Sequence, residues 1–222
     1  VKVQIAGLVT KNYSSIASRS GASGTLQNYL ERDSVVGICD LDTRALVRHI
    51  RQSGAMNAII CSDGTDEEEL MKQLQEVPSM EGLELSSAVT VSRAYDALPQ
   101  EGTEQRHRVA LLDLGVKRSI VSCLTDRGCA VRVFPMQTTA EEILAWSPDG
   151  IMLSNGPGDP GAMTETVETV KQLVDSDKPI FGICLGHQVL ALSQGLKTKK
   201  MFNGHRGVNH PIKNLISGKA EI

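Results

Sequence analysis

The sequence has few aromatic residues, no surplus of positive charge and no long apolar segment. Aromatic side chains make up 3% of the 222 residues, which argues against base-stacking platforms for single-stranded nucleic acid. The formal net charge is −3 at pH 7, so the overall charge favours neither nucleic acid nor an anionic membrane as a partner. No apolar run approaches the roughly 20 residues that cross a bilayer. We therefore expect no nucleic-acid partner and no membrane association.

The cysteines lack the spacing of a disulfide framework or of a zinc site. The five are Cys39, Cys61, Cys123, Cys129 and Cys184. An odd number without a C-x-x-C pair is typical of neither arrangement. Unpaired cysteines persist in reducing compartments, so we expect a cytoplasmic protein without a bound metal.

The first 95 residues predict a small α/β domain. Apolar and alternating runs predict strands at 1–5, 35–39 (buried) and 57–61, and amphipathic runs predict helices at 25–32, 45–51 and 66–75. Asp42 or Thr43 can cap the second helix, and Gly54 follows its last turn. Asp40 and Asp42 could also indicate a metal or phosphate site, but a helix cap explains them better. Residues 96–107 are polar and lack periodicity, which predicts a linker.

From about residue 108 to residue 222, strands alternate with helices. Strands are predicted at 109–113, 130–134, 150–154 and 179–183, and helices at 115–127, 139–145, 164–174 and 188–192. This alternation predicts a parallel, doubly wound α/β sheet with helices on both faces. Active sites of such sheets lie at the carboxyl ends of the strands. Two chemically suggestive loops are expected there, one after Ser154 and one after Ile183.

The second of these loops carries a cysteine between two glycines, in the run G-I-C-L-G-H-Q at 182–188. The glycines permit a sharp strand-to-helix turn. Such a turn places Cys184 at a helix N-terminus, whose partial positive charge favours a thiolate. The N–H of Leu185 would then point toward an oxyanion. A free cysteine is more often a buried structural residue, but the flanking strand and helix and Gln188 favour a nucleophile.

The first loop is N-G-P-G-D-P-G at 155–161. A tight turn would explain its glycines and prolines. A phosphate-binding loop is a weaker alternative, because neither G-x-G-x-x-G nor G-K-[ST] occurs. Since the loop follows a strand expected beside that of the cysteine, and glycines let backbone N–H groups approach a ligand, we favour an active-site loop.

The run G-I-C-L-G-H-Q resembles the nucleophile motif of the class I, triad-type glutamine amidotransferases. The resemblance implies a flavodoxin-like domain in which Cys184 attacks L-glutamine to form a thioester. It also implies that the N–H groups of Gly156 and Leu185 form the oxyanion hole. Gly156, Gly158, Leu185 and Gln188 would bind the glutamine.

A second string, I-x-D-x-D-T-R-x-L-x-R-x-I-R followed by G-A-x-N, resembles the amino-terminal domain of the glutaminase (small) subunits of carbamoyl-phosphate synthases. This implies a partial amino-terminal domain at 1–95, the linker at 96–107 and an amidotransferase domain at 108–222.

The same resemblance implies a large synthetase subunit as partner. That subunit would combine the ammonia with bicarbonate and ATP to make carbamoyl phosphate for arginine and pyrimidine synthesis. ATP and metal are expected on the partner, and no cofactor in this chain. The alternatives are a glutaminase subunit for anthranilate, GMP or aminodeoxychorismate synthesis, which the first 95 residues disfavour, and a non-catalytic homologue, which the intact motifs disfavour.

Departing ammonia needs a proton, and histidine is its usual source. The candidates are His49, His107, His187, His205 and His210. His49 is predicted on a helix of the amino-terminal domain, His107 in the linker and His187 on the same helix as Cys184. His205 and His210 are therefore the better candidates for the proton donor. The resemblance implies that a catalytic H-P-E dyad comes later in the family, whereas here Ile212 follows His210-Pro211.

We therefore expect a sequence truncated at both ends. It begins at Val1 inside a predicted strand, and it ends at Ile222 before the catalytic His and Glu that the resemblance implies. A nucleophile without its acid and base turns over slowly, so little or no glutaminase turnover is expected from this polypeptide alone.

Overall fold

The computed structural model describes residues 3–204 and 211–222. Contacts among them separate two compact units. The first comprises the described residues up to Pro78 and those from Met201 onward, and the second is Ser79–Lys200. No helix in the described ranges is long and apolar enough to cross a membrane.

The first unit contains a two-stranded parallel sheet and three helices. Its elements up to residue 78 are β1 (Gly7–Val9), α1 (Leu26–Arg32), β2 (Val36–Ile38), α2 (Thr43–Ser53) and α3 (Glu67–Glu76). Asp42 caps α2 by accepting hydrogen bonds from the N–H groups of Arg44 (3.1 Å) and Ala45 (3.0 Å). The N–H of Gly54 closes the helix by donating to the carbonyl of Ile50 (2.9 Å). The predicted cap at Asp42 is thus confirmed.

Two predicted strands of the first unit are wrong, and a third is not buried. Residues 3–5 and 57–61 form no strand, and the pairing of β1 with β2 starts only at Gly7. Apolar alternation is insufficient, because a strand needs a neighbour that satisfies its backbone hydrogen bonds. Asn57 instead donates its side-chain N–H to the carbonyl of Val77 (3.1 Å). β2 has one half-buried and two exposed residues.

The second unit is a five-stranded sheet with helices between its strands. Its elements are β3 (Tyr95–Ala97), β4 (His107–Asp113), α4 (Arg118–Thr125), β5 (Cys129–Pro135), α5 (Ala140–Ala145), β6 (Gly150–Leu153), α6 (Thr164–Val174), β7 (Ile180–Gly182) and α7 (Leu185–Ser193). The strand order is β3-β5-β4-β6-β7. Only β3 is antiparallel to its neighbour.

Alternate residues of β4 face opposite sides of this sheet. Ala110 and Leu112 pack in a core with α5, α6 and α7, whereas Val109 and Leu111 pack in a second core with α4. Helices therefore cover both faces, and the predicted mostly parallel, doubly wound α/β sheet is confirmed. The four parallel strands lie in the order second-first-third-fourth, which is the order of flavodoxin-like folds.

The second unit begins ahead of the boundary predicted after residue 95. β3 pairs with β5 from Tyr95 opposite Val133 onward, so the segment 96–107, predicted as a linker, lies inside this unit. His107, predicted in that linker, is the first residue of β4. β3 has no apolar run of its own, and only its pairing with β5 identifies it.

Residues 211–222 group with the first unit and contain the antiparallel pair β8 (Ile212–Lys213) and β9 (Ala220–Glu221). The candidate residues His205 and His210 lie outside the described residues, so their roles stay predictions.

Candidate active site

Cys184 lies at the turn between β7 and α7, as the glycine pattern predicts. Its backbone angles are φ 52° and ψ −109°, in a region that a residue with a Cβ rarely adopts. Cys184 is the N-cap residue of the nine-residue helix α7, and it is exposed. The turn therefore presents the sulfur at the carboxyl edge of the sheet and at the positive end of a helix.

Close contacts require the two glycines that flank this turn. A Cβ at Gly182 would lie 2.6 Å from the nitrogen of His187, and a Cβ at Gly186 would lie 2.4 Å from the carbonyl oxygen of Leu153. The N–H of Gly186 donates to the carbonyl of Ser154 (3.0 Å). The start of α7 is therefore held tightly against the end of β6.

Gly156 packs against both the start of α7 and the end of β4. A Cβ at Gly156 would lie 2.0 Å from the carbonyl oxygen of Leu114 and 2.8 Å from Cδ2 of Leu185. The structure thus brings together the two residues predicted to form an oxyanion hole. Within the part of the chain that the structure describes, no acceptor takes the N–H of Gly156 or of Leu185, so both donors can serve a ligand.

Gly158 packs against residues 83–85 of the segment 82–91, which we call the strap. Gly158 has φ +102°, and a Cβ there would lie 2.9 Å from the carbonyl oxygen of Leu83. Glu84 and Gly158 form an antiparallel bridge. The predicted boundary after residue 95 places the strap in the amino-terminal domain and is wrong here. No local pattern connects positions more than 70 residues apart, so this contact could not be predicted from the sequence.

Asp159 ties the end of the glycine loop to the strap. Its Oδ2 accepts from the N–H of Gly82 (2.8 Å) and its Oδ1 from the N–H of Gly161 (2.9 Å). These two bonds, and next the charge of Lys200, lower the pKa of Asp159 below its ordinary value. The ionised carboxylate therefore acts as a structural acceptor.

Asp113, at the carboxyl end of β4, is buried, with 1% of its surface exposed. Its Oδ1 accepts from the N–H groups of Gly115 (2.9 Å) and Val116 (2.7 Å), and its Oδ2 from that of Val91 (2.9 Å). The Asp113 side chain thus joins the strap to the carboxyl end of β4. In the described ranges, no three His, Cys, Asp or Glu side chains come together as a set that could hold a metal ion.

Ser154 and Asn155 fix the first residues of the glycine loop, and neither side chain was predicted to do so. Ser154 Oγ accepts from the N–H of Leu114 (2.9 Å) and donates to the carbonyl of Asn155 (2.8 Å). The Asn155 side chain accepts from the N–H of Lys117 (3.2 Å) and donates to the carbonyl of Gly115 (2.9 Å). A polar residue at a strand end is the only sequence signal of this role, and it is common to many loops.

Gln188 is exposed on α7 and lies one helical turn after Cys184, to whose carbonyl its N–H donates (3.1 Å). Among the histidines, His187 is exposed on α7. His107 lies at the amino end of β4, the opposite edge of the sheet from Cys184, and is no part of this site. His49 lies on α2 of the first unit.

Two family models match the chain. The one described as Glutamine amidotransferase class-I matches residues 110–221. The one described as Carbamoyl-phosphate synthase small chain, CPSase domain, matches residues 1–60.

Several curated relatives that match the chain are carbamoyl phosphate synthase small chains. That of Photobacterium profundum is 42% identical over 222 residues, covering 94% of this chain and 58% of the relative. That of Vibrio cholerae is 42% identical over 229 residues, covering 97% of this chain and 60% of the relative. That of Chlorobaculum tepidum is 42% identical over 223 residues, covering 100% of this chain and 60% of the relative. The chain thus spans about three fifths of the length of these relatives. With the class I model matching residues 110–221, the chain belongs to the class I glutamine amidotransferase family.

Proposed function

We propose that the protein is the glutamine-hydrolysing, ammonia-supplying subunit of a carbamoyl-phosphate synthase. The Cys184 thiolate attacks the side-chain amide carbon of L-glutamine, and a C–S bond forms as the carbonyl π electrons move onto oxygen. The N–H groups of Gly156 and Leu185 stabilise this oxyanion. The C–N bond then breaks, the nitrogen takes up a proton and leaves as ammonia, and water cleaves the thioester to glutamate and the free thiol.

One observation carries this proposal: the strained, exposed Cys184 begins α7 while Gly156 packs on Leu185. A structural cysteine has no need of a backbone conformation that costs about 1–3 kcal/mol. We propose that Gly158 and Gln188 bind the glutamine, since they follow the donors Gly156 and Leu185 by two and three positions. A histidine is the expected proton donor.

The partner assignment rests on the amino-terminal part of the chain. The match of residues 1–60 to the small-chain CPSase domain favours carbamoyl phosphate over anthranilate, GMP or aminodeoxychorismate as the product of the whole enzyme. We propose that ammonia passes to a large subunit that holds ATP and metal and combines the ammonia with bicarbonate. All five cysteines are free, which favours a reducing cytoplasm. Co-purification with a carbamoyl-phosphate synthase large subunit supports the assignment, and co-purification with another synthetase contradicts it.

The activity is tested with the chloromethyl-ketone analogue of glutamine, L-2-amino-4-oxo-5-chloropentanoic acid. The sulfur displaces chloride, so a C–S bond replaces a C–Cl bond and no proton donor is required. We expect one adduct at Cys184, slowed by added L-glutamine and absent from Cys184→Ala. Equal labelling of the exposed Cys39 and Cys123, without protection by glutamine, would contradict the proposal.

A further inference from the structure

We infer that Ser154 and Ser86 are positioning residues that aim the N–H groups of Gly156 and Gly158 at the substrate. The inference rests on the proposed function, because it assigns these two N–H groups to glutamine. It adds two hydroxyl groups that act through the backbone, without contact with the substrate.

Ser154 fixes the peptide unit that carries the N–H of Gly156. The carbonyl of Asn155 and the N–H of Gly156 belong to one planar, trans peptide unit, so they point in opposite directions. Ser154 is fully buried, and its Oγ donates to that carbonyl at 2.8 Å. Because Oγ also accepts from the N–H of Leu114 (2.9 Å), its own hydrogen is directed to Asn155. The Gly156 N–H therefore points away from Ser154 Oγ.

Ser154 also fixes the second proposed oxyanion donor. Its backbone carbonyl accepts from the N–H of Gly186 (3.0 Å), the residue that follows Leu185 in the first turn of α7. One residue thus sets the N–H of Gly156 through its side chain and the start of α7 through its main chain. Ser154 therefore contributes to the separation of the two proposed donors from both sides.

Ser86 acts in the same way on the peptide unit that joins Pro157 to Gly158. It is fully buried in the strap, and its Oγ donates to the carbonyl of Pro157 (3.0 Å). That carbonyl shares a planar peptide unit with the N–H of Gly158. Within the described ranges no acceptor takes the Gly158 N–H, so it is open to a ligand.

The two serines are expected to affect different kinetic constants. Displacement of chloride beside a carbonyl places partial negative charge on the carbonyl oxygen in the transition state, and the Gly156 N–H is positioned to stabilise that charge. Loosening Gly156 by Ser154→Ala therefore lowers kinact, the first-order rate constant of inactivation by the chloroketone, by about tenfold or more. The Gly158 N–H is proposed to contact the bound ligand, and Ser86 holds the peptide unit that carries this N–H. Ser86→Ala should therefore mainly raise KI, the chloroketone concentration that gives half of the maximal inactivation rate, by about threefold or more, with kinact little changed. A merely structural role would give no such division between kinact and KI.

The experiment measures kinact and KI for the full chain and its variants. Ser87→Ala is the matched control, because Ser87 lies in the same turn of the strap but is exposed and its hydroxyl makes no hydrogen bond with any described residue. The rate of Cys184 alkylation by iodoacetamide, which does not use the glutamine contacts, serves as the second control. We expect it to stay within about twofold in all variants.

The outcomes separate the inference from the proposed function. The inference is supported if both alanine variants show the expected changes while Ser87→Ala and the iodoacetamide rates do not change. It is overturned, with the proposed function intact, if the wild-type chain is labelled selectively and both variants match it. A wild-type chain that shows no preference for the chloroketone overturns both. If Ser154→Ala does not fold, Ser86→Ala alone decides: a raised KI supports the inference, and an unchanged KI overturns it.

Discussion

At the scale of single residues, the strained backbone of Cys184 provides a direct energetic test. Replacing a residue by glycine normally costs about 0.5–1 kcal/mol relative to alanine, because glycine loses more entropy on folding. At φ 52° and ψ −109°, alanine keeps the steric strain and glycine relieves it. We therefore expect Cys184→Gly to be more stable than Cys184→Ala by about 1 kcal/mol in denaturant unfolding. The ordinary order, with alanine more stable, would mean that the turn is unstrained.

Gly156, a proposed oxyanion donor, allows a test of how closely the glycine loop packs on the end of β4. A Cβ at this position would lie 2.0 Å from the carbonyl oxygen of Leu114, which is backbone and cannot swing aside. We expect Gly156→Ala to lower the free energy of unfolding by at least about 2 kcal/mol and to abolish chloroketone labelling.

Gly161→Ala is the matched control in the same loop. Its Cβ would have no neighbour closer than 3.3 Å, the Oδ1 of Asp159, and its φ lies outside the left-handed region. The substitution should change stability by less than about 0.5 kcal/mol. Similar losses at Gly156 and Gly161 would contradict the contact with Leu114.

The site residues divide into those that a sequence can indicate and those that it cannot. Cys184 was predictable, because glycines two positions before and after it specify a local turn. Ser154 and Ser86 were not, because a serine hydroxyl acquires its role from the carbonyl that the fold places beside it. The partner of Ser86 is 71 positions away in the chain.

At the scale of elements, the strap depends on an ionised carboxylate. Asp159 joins the strap to the glycine loop, and its pKa is lowered first by the N–H of Gly82, then by that of Gly161. A lowered folded-state pKa means that the contribution to stability is complete above the unfolded pKa of about 3.9 and is lost as pH falls through the folded value. Acid should therefore weaken the strap.

The test compares the pH dependence of unfolding between about pH 5 and pH 3 for two variants. Asp159→Asn should show a shallower loss of stability with acid than the wild type. Asp175→Asn is the control, because the Asp175 side chain is exposed and makes no hydrogen bond with a described residue. Parallel curves for the wild type and Asp159→Asn would rule out this role of Asp159.

Element boundaries show why some predictions hold and others are wrong. The starts of α2 and α5 follow from Asp42 and Thr139, whose side chains accept from N–H groups two or three residues ahead. Strand pairing has no such local determinant. Residues 57–61 look like a strand yet have no partner strand among the described residues, whereas Asp96 and Ala97, the first two residues of the predicted linker, pair with β5.

At the scale of the whole molecule, the two units differ in how much apolar surface they bury. Among the described residues, Val3 and Leu30 are the buried hydrophobic side chains of the first unit, while those of the second unit form two continuous cores around the sheet. Since burial of apolar surface is the main favourable term in folding, local opening should be easier in the first unit.

Two helices of equal length allow this difference to be measured. α2 and α6 each have 11 residues, but α2 has no buried residue, whereas Thr166, Val170 and Leu173 of α6 are buried. Burying two apolar side chains such as Val170 and Leu173 is worth about 3 kcal/mol or more, and each 1.4 kcal/mol is a factor of ten in an opening equilibrium. We expect backbone amides of α6 to exchange with solvent at least about 100-fold more slowly than those of α2, as hydrogen-exchange mass spectrometry can resolve. Equal protection would mean that α2 is covered by contacts beyond those of the described residues, and that the chain opens as one cooperative unit.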